Sequence, residues 1–162
     1  MKRMFVLLAL LLIPAHASAQ AIVVVRHAER ADAGMAAGAS TDPDLSEAGR
    51  ARAAALASML KDARITRIHV TEFKRTRQTA EPLAALLNTE PMVIPAKDTP
   101  RLVDALKAGT GNVLVVGHSN TLPEIVKALG VQESIQIGEG EYDNLLVITP
   151  GATPSLLRLR YR

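Results

Sequence analysis

Two short apolar runs in the chain each lead to a histidine. Residues 22–25 (Ile-Val-Val-Val) precede Arg26 and His27, and residues 113–116 (Val-Leu-Val-Val) are followed closely by His118. A short, largely β-branched run that stops at a polar cluster is typical of a buried parallel strand. Such strands deliver residues to the carboxyl edge of the sheet, where ligands of open α/β sheets bind. Two imidazoles and a guanidinium at that edge would suit the handling of a phosphoryl group.

The residue types at positions 26 and 27 match the needs of a phosphoryl acceptor. A neutral imidazole offers a nitrogen lone pair near pH 7, because its reference pKa is about 6.5. Arg26 adds a planar fork for phosphate oxygens. An Arg-His pair at a strand end also occurs in structural hydrogen-bond networks, so this pair alone leaves both interpretations open.

A second segment, residues 71–80, follows one predicted strand and opens a helix. Helix N-termini favour anions, so Arg75 could present its guanidinium where backbone N–H groups also point. The alternative is a solvated basic cluster, since Lys74, Arg75 and Arg77 fall close together.

The third segment, residues 117–121, again lies between a predicted strand and a predicted helix. Its glycine permits close approach of a ligand to the backbone. His118 would be a second imidazole at the same sheet edge. Asn120 is a candidate for substrate binding, although it is also a good helix-capping residue.

Strands and helices alternate through most of the chain, which predicts one α/β domain with a largely parallel sheet. The predicted strands are 21–26, 65–70, 92–94, 113–116, 145–148 and 156–161, and the predicted helices are 46–62, 74–88, 98–108 and 122–129.

Several details of these elements can also be predicted. Ser46 is a candidate N-cap of the first helix, and Leu56, Met59 and Leu60 should lie on its buried side. Arg50 and Arg52 should be solvated rather than catalytic. Pro82 should kink or restart the second helix.

In this order, the segments resemble the histidine phosphatase superfamily, the phosphoglycerate mutase-like fold. The family's hallmark Arg-His-Gly stands here as residues 26–28, with alanine in the third position. Its Arg-x-x-Gln-Thr-Ala element is matched by residues 75–80 and its Gly-His-Ser/Gly-Asn element by residues 117–120. Residues 45–49 match its Leu-Ser/Thr-x-x-Gly element. The resemblance covers about residues 21–149, nearly the whole predicted domain.

The resemblance implies a single three-layer domain and a two-step phosphatase mechanism. His27 would be the nucleophile and become phosphohistidine, and Arg26, Arg75 and His118 would form the rest of the phosphate pocket. Arg77 aligns with a variable position and receives no role. No metal and no cofactor are expected, because cationic side chains would stabilise the phosphoryl oxygens.

The sequence offers several candidates for the general acid. The residue after His118 is Ser119, so the Asp that many relatives carry there is absent. Glu29, two residues after the predicted nucleophile, is the first candidate. The others are Asp98, Glu72 and Asp143.

The N-terminus predicts a secretory signal peptide over residues 1–19, with the domain spanning 20–162. A positively charged start precedes an apolar run over residues 5–13, and Ala-Ser-Ala at 17–19 is a small-x-small cleavage site. An uncleaved anchor is the alternative, but spanning a membrane takes about 20 apolar residues. We therefore expect an exported protein, periplasmic or secreted, of the family's small exported branch, without stable membrane insertion after cleavage.

Composition restricts the class of partner. Removing residues 1–19 would take two of the 19 basic residues and no acid, leaving 17 against 16, so the mature chain would be nearly neutral. Aromatic residues are only 2%, which argues against stacking platforms for nucleic acid. The chain has no cysteine, which excludes thiol catalysis and thiolate metal sites.

The sequence therefore predicts an exported phosphatase that hydrolyses phosphomonoesters or phosphoramidates on a small molecule, glycan or protein. The alternative is a phosphate- or phosphoglycan-binding module with weak catalysis, which the missing acid motivates. The oligomeric state and the physiological substrate are not encoded in any pattern that we recognise.

Overall fold

The structure, a computed structural model, describes residues 20–32 and 41–161. The predicted signal peptide lies outside these residues. No helix in the described part has the length and apolar character needed to cross a membrane.

Six strands form one central sheet in the order β3-β2-β4-β1-β5-β6. They are β1 (Ile22–Arg26), β2 (Ile65–Val70), β3 (Met92–Val93), β4 (Asn112–Gly117), β5 (Asn144–Thr149) and β6 (Ser155–Arg160). The first four are parallel, β5 runs antiparallel to β1, and β6 runs antiparallel to β5. The predicted, largely parallel sheet is confirmed.

Four helices cover the two faces of the sheet: α1 (Glu47–Leu60), α2 (Lys74–Leu87), α3 (Thr99–Ala108) and α4 (Thr121–Ala128). Helices α1 and α2 share an apolar core with Val23 and Val25 of β1. Helices α3 and α4 pack on the opposite face, with Val24. Because β1 is buried on both faces, it reads in sequence as a continuous apolar run. The three-layer architecture predicted from the sequence is confirmed.

This topology produces a crevice at the carboxyl ends of the two central strands. β1 and β4 are neighbours, with Arg26 in register with Gly117. The chain leaves β1 for a helix on one face and leaves β4 for a helix on the other. Connections that diverge in this way open a ligand-binding crevice.

Ser46 caps α1 as predicted, since its side chain accepts a hydrogen bond from the Gly49 N–H at 3.0 Å. The predicted burial of Met59 is wrong: its side chain is 49% exposed, because the buried stripe of α1 runs through Ala53, Leu56, Ala57 and Leu60. Pro82 does not restart the second helix, since it lies inside an uninterrupted α2 that lacks one main-chain hydrogen bond at that turn.

Candidate active site

The crevice brings four predicted residues together. Arg26 and His27 end β1, His118 follows β4, and Arg75 lies in the first turn of α2. All four line one cleft of about 390 Å³, and Asn120 also lines it. The imidazole centroids of His27 and His118 are 5.3 Å apart.

His27 is buried and held in one tautomer. Its Nδ1 lies 2.8 Å from the Ala28 carbonyl oxygen, which can only accept, so Nδ1 carries the proton. The lone pair therefore resides on Nε2. Burial, together with His118 and the two arginines, lowers the pKa of His27 to about 3, although the Ala28 carbonyl acts in the opposite direction. The ring is therefore neutral near pH 7 and able to act as a nucleophile.

His118 is fixed by two partners. An Arg75 Nη2 hydrogen points to Nδ1 at 3.5 Å, and Nε2 lies 3.1 Å from the Thr71 hydroxyl. Because arginine only donates, Nδ1 accepts and Nε2 donates to Thr71. Burial, assisted by Arg75 and Arg26, lowers the pKa of His118 to about 4. In the free site this imidazole is neutral.

Arg26 lines the cleft and also binds the loop between α4 and β5. Its Nη1 donates to the carbonyls of Gly138 (2.8 Å) and Glu139 (2.7 Å), and its guanidinium stacks over Tyr142, 4.2 Å from the ring centroid. Its side chain is 4% exposed. Its buried Nε makes no hydrogen bond within the described part of the chain.

Arg75 is positioned by its neighbours in a similar way. Its guanidinium lies over Phe73, 4.2 Å from the ring centroid, and Nη1 is 3.7 Å from an Asp42 oxygen. Its buried Nε also makes no hydrogen bond within residues 20–32 and 41–161. Phosphate oxygens are suitable acceptors for both of these charged donors.

Glu29, the first candidate for the general acid, is engaged elsewhere. Its carboxylate accepts from Arg52 Nε at 2.9 Å and from Nη2 at 2.6 Å. Burial alone would raise the pKa of Glu29, but the Arg52 guanidinium more than offsets this and the net pKa is lowered. Arg52, predicted to be solvated, is instead the partner of Glu29. The structure does not bring Glu29 into the cleft.

The other acid candidates divide into two groups. Asp98 caps α3, accepting from the Arg101 N–H at 3.3 Å, and Asp143 pairs with Arg160 at 2.6 Å. Neither lines the cleft, whereas Glu72 does. Its carboxylate accepts from the Ala96 N–H at 2.8 Å.

A second carboxylate on the cleft, Glu139, was missed by the sequence analysis. It lies in the loop between α4 and β5, in a Gly-Glu-Gly-Glu stretch that carries no recognisable pattern. Its position on the cleft follows from the contacts of Arg26 with residues 138–141 and from the Ser119 hydroxyl, which donates to its carboxylate at 3.3 Å.

The elements around the site explain two of the sequence motifs. The Thr79 hydroxyl accepts from the Ala28 N–H at 2.9 Å, and the Gln78 side chain accepts from the Leu45 N–H at 2.8 Å. Residues 75–80 therefore supply Arg75 and also hold the segment after His27. Gly49 lets α1 approach that segment, since a Cβ there would lie 2.2 Å from the Glu29 carbonyl oxygen.

Cations and imidazoles predominate in the cleft, which Glu72 and Glu139 also line. Among residues 20–32 and 41–161, no group of three His, Cys, Asp or Glu side chains is arranged to hold a metal ion. Two arginines and two neutral histidines around one cleft suit an oxyanion.

Many solved structures share the fold of the chain. The protein histidine phosphatase SixA, solved with tungstate, aligns with a TM-score of 0.69 and 20% identity over 86% of this chain and 96% of its own. A SixA protein from Agrobacterium tumefaciens gives 0.64 and 22% over 86% and 97%. A mycobacterial glucosyl-3-phosphoglycerate phosphatase, solved with VO3, gives 0.69 and 15% over 88% and 98%.

At these identities the likeness concerns the fold. No curated protein matches the chain. The sequence profile of the histidine phosphatase superfamily (branch 1) matches residues 22–105. This range runs from β1 through α1, β2, α2 and β3 and includes most of α3. The chain therefore belongs to the histidine phosphatase superfamily (branch 1) and is a histidine-dependent phosphatase.

Proposed function

We propose that this protein is an exported phosphatase that hydrolyses phosphomonoesters or phosphoramidates through a phosphohistidine intermediate on His27. The observation that carries the proposal is the fixed tautomer of His27. Its Nδ1–H is bound to the Ala28 carbonyl, so a neutral Nε2 lone pair is available in a cleft with two arginines.

In the first step, His27 Nε2 attacks phosphorus and forms a P–N bond while the P–O bond to the leaving group breaks. Arg26 and Arg75 donate to the equatorial oxygens, where negative charge is held through the transition state. His118 is the third pocket residue. A bound dianion favours protonation of its Nδ1, which then donates as well.

In the second step, water attacks the phosphohistidine. The P–N bond breaks, inorganic phosphate leaves, and His27 returns to the neutral state held by Ala28. Splitting the reaction in this way is the usual advantage of a covalent intermediate.

The lining of the cleft supports a phosphorylated substrate. Most of the residues that line it are polar, and they include Arg30, Lys97 and Ser119. We propose a phosphorylated small molecule, glycan or protein as the substrate. The likeness to SixA and to a phosphatase of glucosyl-3-phosphoglycerate supports both the protein and the sugar alternatives.

Export is proposed from the sequence of residues 1–19. The test is N-terminal sequencing of the protein recovered from the periplasm or medium after expression of the full chain. We expect a start at Gln20, and full-length protein retained in the cytoplasm would contradict export.

The catalytic proposal is tested by rapid quenching with a 32P-labelled phosphomonoester. We expect label that is stable to base and labile to acid, which maps to the peptide containing His27 and is absent from His27→Ala. Label on Ser119 or Thr121, or label that survives in His27→Ala, would overturn the mechanism.

The second candidate is a binding module with weak turnover, favoured by the ion pair that engages Glu29. Turnover of p-nitrophenyl phosphate across about pH 5–7 that disappears in His27→Ala supports the enzyme. Binding of inorganic phosphate without turnover would support the module.

A further inference from the structure

Two carboxylates line the cleft. Glu72 lies two residues after β2, and Glu139 lies in the loop between α4 and β5. The phosphatase reaction with an alkoxide leaving group needs a proton at the bridging oxygen as the P–O bond breaks. Each carboxylate is therefore a candidate, and their contacts distinguish them.

Glu72 is committed to a structural contact. Its Oε2 accepts from the Ala96 backbone N–H at 2.8 Å, which ties β2 to the turn before α3. A phosphate in the pocket would not compete for that N–H. Proton transfer through this oxygen would have to break the contact with the Ala96 N–H, which disfavours Glu72 as the proton donor.

Glu139 makes contacts that a substrate would replace. Its Oε2 lies 3.4 Å from Arg26 Nη2 and its Oε1 lies 3.3 Å from the Ser119 hydroxyl. Both distances are long for charge-assisted contacts, and the side chain is 92% exposed. A phosphate that binds Arg26 neutralises the guanidinium charge beside Glu139 and places a dianion near this carboxylate. Two negative groups that share a site favour protonation of one of them.

The backbone of Glu139 is nevertheless fixed relative to the pocket. Arg26 Nη1 donates to the carbonyls of Gly138, Glu139 and Glu141 at 2.8, 2.7 and 3.3 Å. Glu141 accepts from the Gly138 N–H at 2.9 Å and pairs with Arg160 at 2.8 Å, which closes the turn. The arginine that is proposed to bind the phosphate thus also sets the position of this carboxylate.

We propose that Glu139 donates the proton to the leaving group and then accepts one from the attacking water; this inference rests on the proposed phosphatase function. In the first step the P–N bond to His27 forms, the P–O bond breaks, and the Glu139 proton moves to the departing oxygen. In the second step water forms the new P–O bond, its proton returns to Glu139, and the P–N bond breaks. The carboxyl group regains its starting state after one turnover.

The test compares leaving groups in wild type and Glu139→Gln. p-Nitrophenolate leaves readily without a proton, whereas the alkoxide from an alkyl phosphate such as glycerol 2-phosphate does not. We expect kcat/KM of the variant to fall by about 100-fold or more on the alkyl ester and by less than about threefold on p-nitrophenyl phosphate. The decline of wild-type activity on the alkyl ester with rising pH should disappear in the variant.

Two further variants, one of them a control, complete the experiment. Glu133→Gln changes an exposed glutamate of the same loop that pairs with Arg158 outside the cleft, and we expect wild-type kinetics. Glu72→Gln should lose activity to a similar degree on both esters.

Equal losses of Glu139→Gln on both esters, or a leaving-group-dependent loss in Glu72→Gln alone, would overturn the assignment to Glu139. Those outcomes leave the phosphohistidine mechanism standing. Wild-type protein that turns over neither ester and forms no phosphohistidine would overturn the proposed function and the proton donor with it.

Discussion

His27 and His118 are neutral imidazoles beside two arginines, and this division of charge determines what the pocket can do. The arginines suit an oxyanion, while burial keeps Nε2 of His27 unprotonated. A protonated His27 would have no lone pair on Nε2 and could not attack phosphorus. The low pKa of His27 therefore suits the nucleophilic role proposed for it.

Arg75 and Arg77 are two residues apart but face different surroundings. Arg75 touches His118, whereas Arg77 donates to the Glu72 carbonyl at 2.7 Å outside the cleft. Losing one charge-assisted donor to the transition state costs about 2–4 kcal/mol, so Arg75→Ala should lose about 30- to 1000-fold in kcat/KM. Arg77→Ala should change kcat/KM by less than about threefold. Steady-state kinetics with p-nitrophenyl phosphate decide this, and equal losses would show that the wrong arginine is assigned.

His118 should couple anion binding to proton uptake. Its pKa in the free site is about 4, and a bound dianion raises it because the protonated ring is then paired with negative charge. The bound state therefore holds more protons above pH 4, and sulfate affinity should rise as the pH falls from about 7 towards 4, by up to about tenfold per pH unit. Isothermal titration calorimetry at several pH values measures this change in sulfate affinity. His118→Asn should flatten the dependence, and an unchanged slope in that variant would contradict the role of His118.

At the scale of elements, the close approach of α1 to the segment after His27 depends on Gly49. A Cβ at this position would meet the backbone carbonyl oxygen of Glu29 at 2.2 Å, and a backbone atom has little room to move. Gly49→Ala should therefore destabilise the fold by about 1–3 kcal/mol, the usual cost of overpacking, and lower activity by displacing His27.

Urea unfolding measures the stability effect of Gly49→Ala. The matched control is Gly151→Ala, because the nearest heavy atom to a Cβ there is 3.9 Å away and the site is remote. We expect a change within about 0.5 kcal/mol for the control. Equal stabilities of the two variants would show that α1 can move away from Glu29 without cost.

The strands could be predicted from sequence more fully than the details of the helices. A strand such as β4, which is buried on both faces, forms a continuous apolar run and can be recognised without knowing which strands flank it. Whether Met59 is buried or exposed depends on which side of α1 meets the sheet, and the local apolar pattern is compatible with either orientation. The continuity of α2 through Pro82 depends on packing against the sheet and α1, which local propensity does not contain.

The same limit applies to the site. Arg26, His27, Arg75 and His118 lie at or just after the carboxyl ends of predicted parallel strands, so their convergence could be predicted from sequence. The pairing of Glu29 with Arg52 joins positions 23 residues apart, and the contact of Arg26 with Glu139 joins positions 113 residues apart. Local sequence spacing does not encode contacts between such distant positions, so Glu139 could be proposed as the proton donor only from the structure.

For the molecule as a whole, three buried histidines link stability to pH. Burial lowers the pKa of His27 to about 3 and those of His69 and His118 to about 4. The unfolded chain titrates these groups near pH 6.5, so below that pH it binds more protons than the folded chain. The free energy of unfolding should therefore fall as the pH drops from about 6.5 towards 4, by up to about 1.4 kcal/mol per pH unit for each histidine.

His69 allows this linkage to be tested apart from catalysis. It is 2% exposed in β2, and neither ring nitrogen has a hydrogen-bond partner among the described residues. His69→Leu removes one titrating group and no hydrogen bond. The unfolding free energy of this variant should therefore depend less steeply on pH than that of wild type between about pH 6.5 and 5. Most carboxylates titrate below this pH range. Urea unfolding at several pH values gives both slopes. Parallel slopes for the two proteins, whatever their stability at pH 7.5, would show that His69 is not the neutral buried group described here.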